Sequence, residues 1–189
     1  MSQQSTHLLQ FSTTAVSPID TERAFTAFFE QTHVMVFRYI YGLHGGPIES
    51  VEDLTAETYL RAWQKRQAFQ GDEQAAVGWI FRIAHNLVVD SHRRSVTHPP
   101  PDALPESLAR LDDDPEHQTL ADEQAATLNL ALSQLPLPQR EMVVLRYMLG
   151  WAVKDIAVYL GKNENTVSVN IRRALQHLRE NWPPESKEG

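Results

Sequence analysis

Apolar residues recur at helical spacing in two separated tracts of this chain, with a proline-rich acidic stretch between them. Over 22–42, Phe25, Phe28, Phe29, Val36, Phe37 and Ile40 fall on one face of roughly helical period. The sequence HGGP at 44–47 stops that helix, and its proline is well placed to begin the next. Residues 49–66 then present Leu54, Tyr59 and Ala62 among charges. A glycine-containing loop, FQGDEQ at 69–74, precedes AAVGWIFRIAHNLVVDSHRR, where Ile80, Ile83, Ala84, Leu87 and Val88 make an i, i+3, i+4, i+7, i+8 stripe. Trp79 and Ile83 are assigned to the core. Gly78 weakens this helix by about 1 kcal/mol relative to alanine, so something should want the space beside it.

The second tract predicts four helices. The first, 121–134, carries Leu128, Ala131 and Leu132 as apolar positions; LPLPQR then breaks and restarts the chain, with Pro138 suited to a first turn. Helices at 139–149, 153–160 and 164–180 follow, with Gly150 and Gly161 as terminators. No β-type alternation competes with these patterns. The expected fold is all-α: two small helical domains, 21–97 and 121–182, joined by a flexible acidic linker at 98–120. A disordered extension is expected over 1–20 and a tail over 183–189, although Leu8, Leu9 and Phe11 could dock weakly. Domains of this size bury only about 60% of their unfolded surface, so each should be marginal alone and lean on a partner.

The last two helices have the pattern of a helix-turn-helix. On a helical wheel, Val167, Ile171, Ala174, Leu175 and Leu178 form one apolar stripe, to which Ile156, Ala157 and Leu160 of the preceding helix add. The opposite face gathers Asn165, Thr166, Val169, Arg172, Arg173 and Gln176, short at its start and basic one turn later. A groove-inserted helix needs small polar groups near base edges and guanidiniums that reach phosphate or guanine. Asn163 is a good N-cap and leaves the first-turn amides for a phosphate. An ordinary helical hairpin with a solvated face has the same pattern.

Charge complicates the DNA reading, because the formal net charge is −7. Residues 1–98 hold eight Lys/Arg against ten Asp/Glu, 99–125 one against eight, and 126–189 eight against six. The deficit therefore sits in the middle segment, around the run Asp112, Asp113 and Asp114, and the flanks are near neutral. There are no cysteines, which excludes disulfides and thiolate sites and suits a reducing, cytoplasmic setting. No secretion signal or run long enough to span a membrane is visible, so no membrane insertion is expected. His33, His44, His85, His92 and His98 are scattered without metal spacing, and no P-loop or dinucleotide fingerprint occurs. No catalytic residue, metal or cofactor is expected.

Two stretches, VEDLTAETYLRAWQKRQAFQGDEQAAVGWIFRIAHNLVVDSHRR at 51–94 and LSQLPLPQREMVVLRYMLGWAVKDIAVYLGKNENTVSVNIRRALQHLRE at 132–180, resemble the two regions of bacterial extracytoplasmic-function (ECF) sigma factors of the sigma-70 family. With the first helix, the resemblance covers about 130 residues. It implies a sigma region 2-like domain followed by a sigma region 4-like one. The implied function is an alternative sigma factor that binds core RNA polymerase, through its beta and beta-prime subunits, and recognises promoter DNA. Asp53, Leu54, Glu57, Thr58, Arg61 and Trp63 would meet the polymerase. Phe69, Gln70 and Asp72, with Asn86, Asp90, His92, Arg93 and Arg94, would open and hold the −10 element, an unstacked base needing an apolar platform and edge partners. Asn165, Thr166, Ser168, Val169, Arg172 and Arg173 would read the −35 element as duplex. Many members carry Lys and Arg where this chain has Ser168 and Asn170, so Arg140, Arg146 and Lys154 are expected to add backbone contacts. The acidic linker would thread toward basic walls of the polymerase cleft, or serve as a solubilising tether. An anti-sigma factor is an implied regulator. The competing expectation is a stand-alone DNA-binding transcriptional regulator that acts without polymerase-directed promoter opening.

Overall fold

Thr21 opens the first helix by accepting a hydrogen bond from the Ala24 amide at 3.2 Å, and Glu22 sets a carboxylate in the first turn, where the helix dipole favours it. That helix, α1 (Glu22–His44), ends at Gly45, whose φ of 65° and bond back to the Tyr41 carbonyl form a left-handed cap. The computed structural model describes residues 17–97 and 125–182. The expected linker with Asp112, Asp113 and Asp114, the tail after 182, and the extension up to 16 lie outside the described residues.

Helix α2 (Ile48–Lys65) starts directly after Pro47 and closes in a 3-10 turn, Arg66–Ala68. Arg66 clamps that turn: its guanidinium lies 3.4 Å above the Trp63 ring and donates to the carbonyls of Trp63 and Asp20. Helix α3 (Glu73–Thr97) is longer than its apolar stripe predicts, and Asp72 caps it by accepting from the Ala75 amide at 2.8 Å. These three helices pack against one another around Val36, Ile40, Val51, Ala62, Ile80, Ala84 and Leu87. Inside this core, the Tyr59 and Thr32 hydroxyls pair at 2.8 Å, and Thr32 donates to the Phe28 carbonyl.

The second block holds α4 (125–133), α5 (Leu137–Val143), α6 (Val153–Leu160) and α7 (Glu164–Glu180). Pro138 stands in the first turn of α5, as its fixed φ suits. Helix α5 continues as a π-turn, Val144–Met148, that the apolar pattern did not reveal. The expected all-α architecture of two helical regions, the second a helix-turn-helix, is what the structure shows.

Two expectations are corrected. Ile19 is fully buried in the core, so the extension cannot run through residue 20. Phe29 is 40% exposed, lying edge-on to Tyr59 and stacked on His33 at the rim instead of entering the core.

Candidate nucleic-acid interface

Helix α7 is built as its sequence pattern requires. Asn163 accepts from the Thr166 amide at 2.7 Å, and Gly161 turns the chain at φ 61° between α6 and α7. Val167, Ile171 and Ala174 are buried, whereas Asn165, Arg172 and Arg173 are exposed on the other side. Thr166, Ser168 and Val169 are half-buried along the edges, and Asn170 donates back to the Thr166 carbonyl at 2.8 Å. The result is an exposed, basic, N-capped helix seated on α5 and α6.

On α2, Asp53 is exposed and Glu57 bonds Arg61 at 2.7 Å, forming the expected charged ridge. Leu60, 51% exposed, stands among these charges and lines a shallow concavity with Asp53, Glu57, Arg61 and Arg94. Sequence reasoning missed it, though an apolar residue on an otherwise charged face was the available signal. Thr58 does not join this surface, whereas Leu54 lines the same concavity. Thr58 is fully buried and donates to the Leu54 carbonyl, Leu54 is itself buried, and Trp63 lies half-buried against Phe25.

Along α3, Trp79, Arg82, Asn86, Asp90 and Arg93 are spaced three or four apart and share one side. Arg82 is a second residue the sequence reading left out, although it stands four before Asn86. Phe69 tilts against Trp79 at 5.1 Å, half-buried, with Gln70 exposed beside it. Trp79 is half-buried and packs against the edge of the core, with Phe69 beside it. Asp72 serves as the helix cap. His92 turns away from the stripe, stacking on His44 with its Nε2 3.4 Å from the Leu43 carbonyl.

The two blocks meet along a seam that reassigns Arg140. Only 7% exposed, it donates to the carbonyls of Leu43, Ser133 and Leu135, so in this arrangement it cannot meet phosphate. Arg146 braces the Trp151 carbonyl at 2.9 Å, and Lys154 remains exposed. Beside Arg140, Glu141 is 4% exposed and accepts from the Tyr39 hydroxyl at 2.5 Å, with His85 Nδ1 3.1 Å away. Phe81 stands edge-on between Tyr39 and Trp151, and Trp151 meets Tyr159 the same way. Gly42 faces the π-turn so closely that an added Cβ would lie 2.7 Å from a Val144 methyl and 2.9 Å from the Met148 sulfur. The seam opens outward into a cleft lined by Trp79, Arg82, Trp151, Asp155, Val158 and Tyr159. Tyr159 also fills the space beside Gly78, 4.0 Å from where a Cβ would stand.

Burial pushes the Tyr39 phenol well above its ordinary value, with Glu141 adding to the effect. The hydrogen bond to Glu141 raises His85, against burial, which opposes it. Burial lowers His44, and His92 and Arg140 add to that. Because the folded pKa of His85 is raised, its contribution is fully present below the ordinary value of about 6.5 and is lost as pH climbs through the raised one. The stability gap between the native chain and His85→Gln should therefore narrow as pH rises above about 6.5. His44 acts with the opposite sign but cancels in this difference. Paired thermal melts across that range are the check, and a gap that widens with pH contradicts the contact.

Among the described residues, no group of three or more His, Cys, Asp or Glu is placed to hold a metal ion, and no helix is long and apolar enough to cross a membrane. The fold is thus that of a helical protein whose second block is a helix-turn-helix packed on a three-helix first block. The family model "Sigma-70 region 2" matches residues 28–97 and "Sigma-70, region 4" matches 126–178. ECF RNA polymerase sigma factor ShbA of Streptomyces griseus subsp. griseus is 31% identical over 155 residues, covering 78% of this chain and 81% of that protein. ECF RNA polymerase sigma factor BldN of Streptomyces coelicolor is 32% identical over 166 residues, covering 87% of this chain. The chain spans 62% of BldN's length. In fold, the chain resembles the sigma factor RpoE solved with the anti-sigma factor NepR from Bartonella quintana, with a TM-score of 0.61, 21% identity, and 84% and 96% of the two chains covered. This chain belongs to the ECF sigma factors of the sigma-70 family.

Proposed function

We propose that the chain is an alternative sigma factor that carries core RNA polymerase to promoters, reads the −35 element with α7 and holds the opened −10 strand against the 69–74 loop and the outer stripe of α3. The observation that carries this reading is the N-capped α7, whose Asn165, Arg172 and Arg173 are exposed opposite a buried Val167–Ile171–Ala174 face. A helix with this geometry at the end of a helix-turn-helix is suited to the major groove. On α2, the ridge of Asp53, Glu57, Leu60 and Arg61 offers an apolar side chain framed by charge, as a protein partner requires. Phe69, Trp79 and Asn86 supply aromatic faces and an amide edge for a base taken out of its stack. An anti-sigma protein is the proposed regulator, since RpoE, a protein of like fold, is solved bound to one.

The net charge of −7 fits this division of labour. Polymerase brings the main attraction for DNA, and the sigma factor contributes a few directed contacts. The test is run-off transcription from genomic fragments by core polymerase with and without the chain, followed by a −35 variant panel bound at several salt concentrations. Arg172→Ala should cost about 1–3 kcal/mol and relax preference at one base pair if it meets a guanine edge. Arg173→Ala, on phosphate, should weaken binding nearly uniformly and lower the salt slope by about one. If both variants leave affinity, preference and slope untouched, α7 does not enter the groove. Tight duplex binding without polymerase, and no stimulated run-off, would favour a stand-alone regulator.

A further inference from the structure

Three aromatic rings, one guanidinium and two carboxylates converge on the cleft beside the seam. Its volume is about 940 Å³, within the range of roughly 300–1,000 Å³ found for small-molecule sites. Trp79, Trp151 and Tyr159 give it ring surface, Arg82 a cation, and Asp72 and Asp155 acceptors. Each ring is held by a neighbour: Trp79 by Phe69 at 5.1 Å, Trp151 by Phe81 at 5.3 Å, and Tyr159 by Trp151 at 5.5 Å. The Tyr159 hydroxyl is turned to Tyr39, which leaves its ring for the cleft. Walls fixed in this way lose little freedom when a ligand arrives.

Two parts of the lining have no role in packing. Gly78 stands inside α3, where glycine weakens a helix relative to alanine. A Cβ there would meet only Tyr159, at 4.0 Å, an ordinary contact, so the neighbouring side chains do not require glycine. What glycine provides is bare backbone on the cleft wall, which a flat ring can approach closely. Arg82 is exposed and makes no hydrogen bond or ion pair among the described residues, and neither does the half-buried Asp155 carboxylate. Asp155 also suits the first turn of α6 by its charge, whereas Arg82 has no such local role.

We propose that this cleft binds a nucleoside monophosphate, with the base against Gly78 among the three rings, the phosphate on Arg82, and hydroxyl or amino donors on Asp155. The chemistry selects each part. Aromatic rings stack on any base face. A single guanidinium matches one phosphate in its fork geometry, whereas two carboxylates in the same cleft disfavour the larger charge of a di- or triphosphate. An ionised carboxylate only accepts, so Asp155 needs donors on the ligand, and ribose hydroxyls and base amino groups supply them. Binding of this kind needs neither polymerase nor promoter, so it stands apart from the proposed promoter function.

Calorimetric titration of the full-length chain with AMP, adenosine and orthophosphate separates the parts of the site. AMP should bind once per chain with Kd below about 1 mM, and more than about tenfold tighter than adenosine or orthophosphate alone. Gly78→Ala should raise Tm, since alanine is the better helix former, and yet weaken AMP by more than about tenfold, because its methyl takes the seat of the ring. Arg82→Gln should weaken AMP to the level of adenosine and leave adenosine unchanged. No saturable heat with AMP, equal affinities for AMP and adenosine, or a Gly78→Ala chain that binds AMP as the native chain does would each overturn the site. A lowered Tm in Gly78→Ala would do the same, since it would mean that the wall is already filled. So would a short single-stranded oligonucleotide that binds the free chain more tightly than AMP and is lost in the same variant, because the cleft would then hold nucleic acid.

Discussion

Glu141→Ala should cost the full-length chain about 3 kcal/mol, because it removes the charge-assisted acceptor of a buried phenol and leaves it only the weaker neighbours His85 Nδ1, at 3.5 Å, and Tyr159. The carboxylate lies at the centre of the seam, 4% exposed, and accepts from Tyr39 at 2.5 Å. Losing a hydrogen bond to a charged group costs roughly 1.5–3 kcal/mol, and the weaker bonds left to the phenol recover little of it. His85 adds little, since its half-buried ring can turn to water. For a domain of this size the combined loss should lower Tm by roughly 6–12 °C. The partner variant makes the argument specific. Tyr39→Phe with Glu141→Leu removes donor and acceptor together and leaves comparable volume, so its cost should be below about 1 kcal/mol. Differential scanning calorimetry of the single and paired variants is the measurement. A single variant within about 0.5 kcal/mol of the native chain would show that Glu141 already meets water in solution and that the seam is open.

The seam also explains where sequence reading succeeded and where it stopped. Within each block, period placed most of the buried positions, with Phe29 as an exception. Ile80, Ala84, Leu87 and Val88 are buried as their spacing predicts, and so are Val167, Ile171 and Ala174. Caps and terminators were legible too, because Asn163, Gly45 and Gly161 act through local backbone chemistry. What period could not show was any contact between residues about a hundred positions apart. Tyr39 and Phe81 lie off the stripes read for the first block; they pack on each other there, and each also meets the second block, Tyr39 through Glu141 and Phe81 through Trp151. Arg140 misled for the same reason. An arginine beside a helix-turn-helix suggests a phosphate contact, but the carbonyls of Ser133 and Leu135 in its own block and of Leu43 in the other hold it instead.

For the site residues, the limit was direction along a helix. The α2 ridge was read from the spacing of Asp53, Glu57 and Arg61, which is sound for charges that prefer water. Thr58 and Leu54 were placed beside them through family resemblance alone; the buried face of α2 claims Thr58, while Leu54, 8% exposed, still lines the concavity beside the ridge. Leu60 and Arg82 show the reverse case. Each completes an exposed set at three- or four-residue spacing and was passed over because a leucine suggests core and an isolated arginine suggests solvation.

Phe81 gives the largest expected effect of any single change. It is fully buried, stands edge-on to Tyr39 at 4.9 Å and to Trp151 at 5.3 Å, and so touches both blocks at once. Phe81→Ala should cost about 3–5 kcal/mol, the range for emptying a buried aromatic site that cannot collapse. Neither neighbour is free to fill the space, since Tyr39 is held by Glu141 and Trp151 is packed on Tyr159. Part of the loss belongs to the seam, and a double-mutant cycle isolates it. Edge-to-face pairs contribute about 0.5–1.5 kcal/mol beyond their buried area, so Phe81→Ala and Trp151→Ala should combine to less than the sum of their separate costs by at least that much. Urea unfolding of the four proteins supplies the cycle, with Ile40→Val, in the core of the first block, as the additive control. If the Phe81 and Trp151 losses simply add, the two rings do not meet in solution, and the closed arrangement of the blocks fails with them.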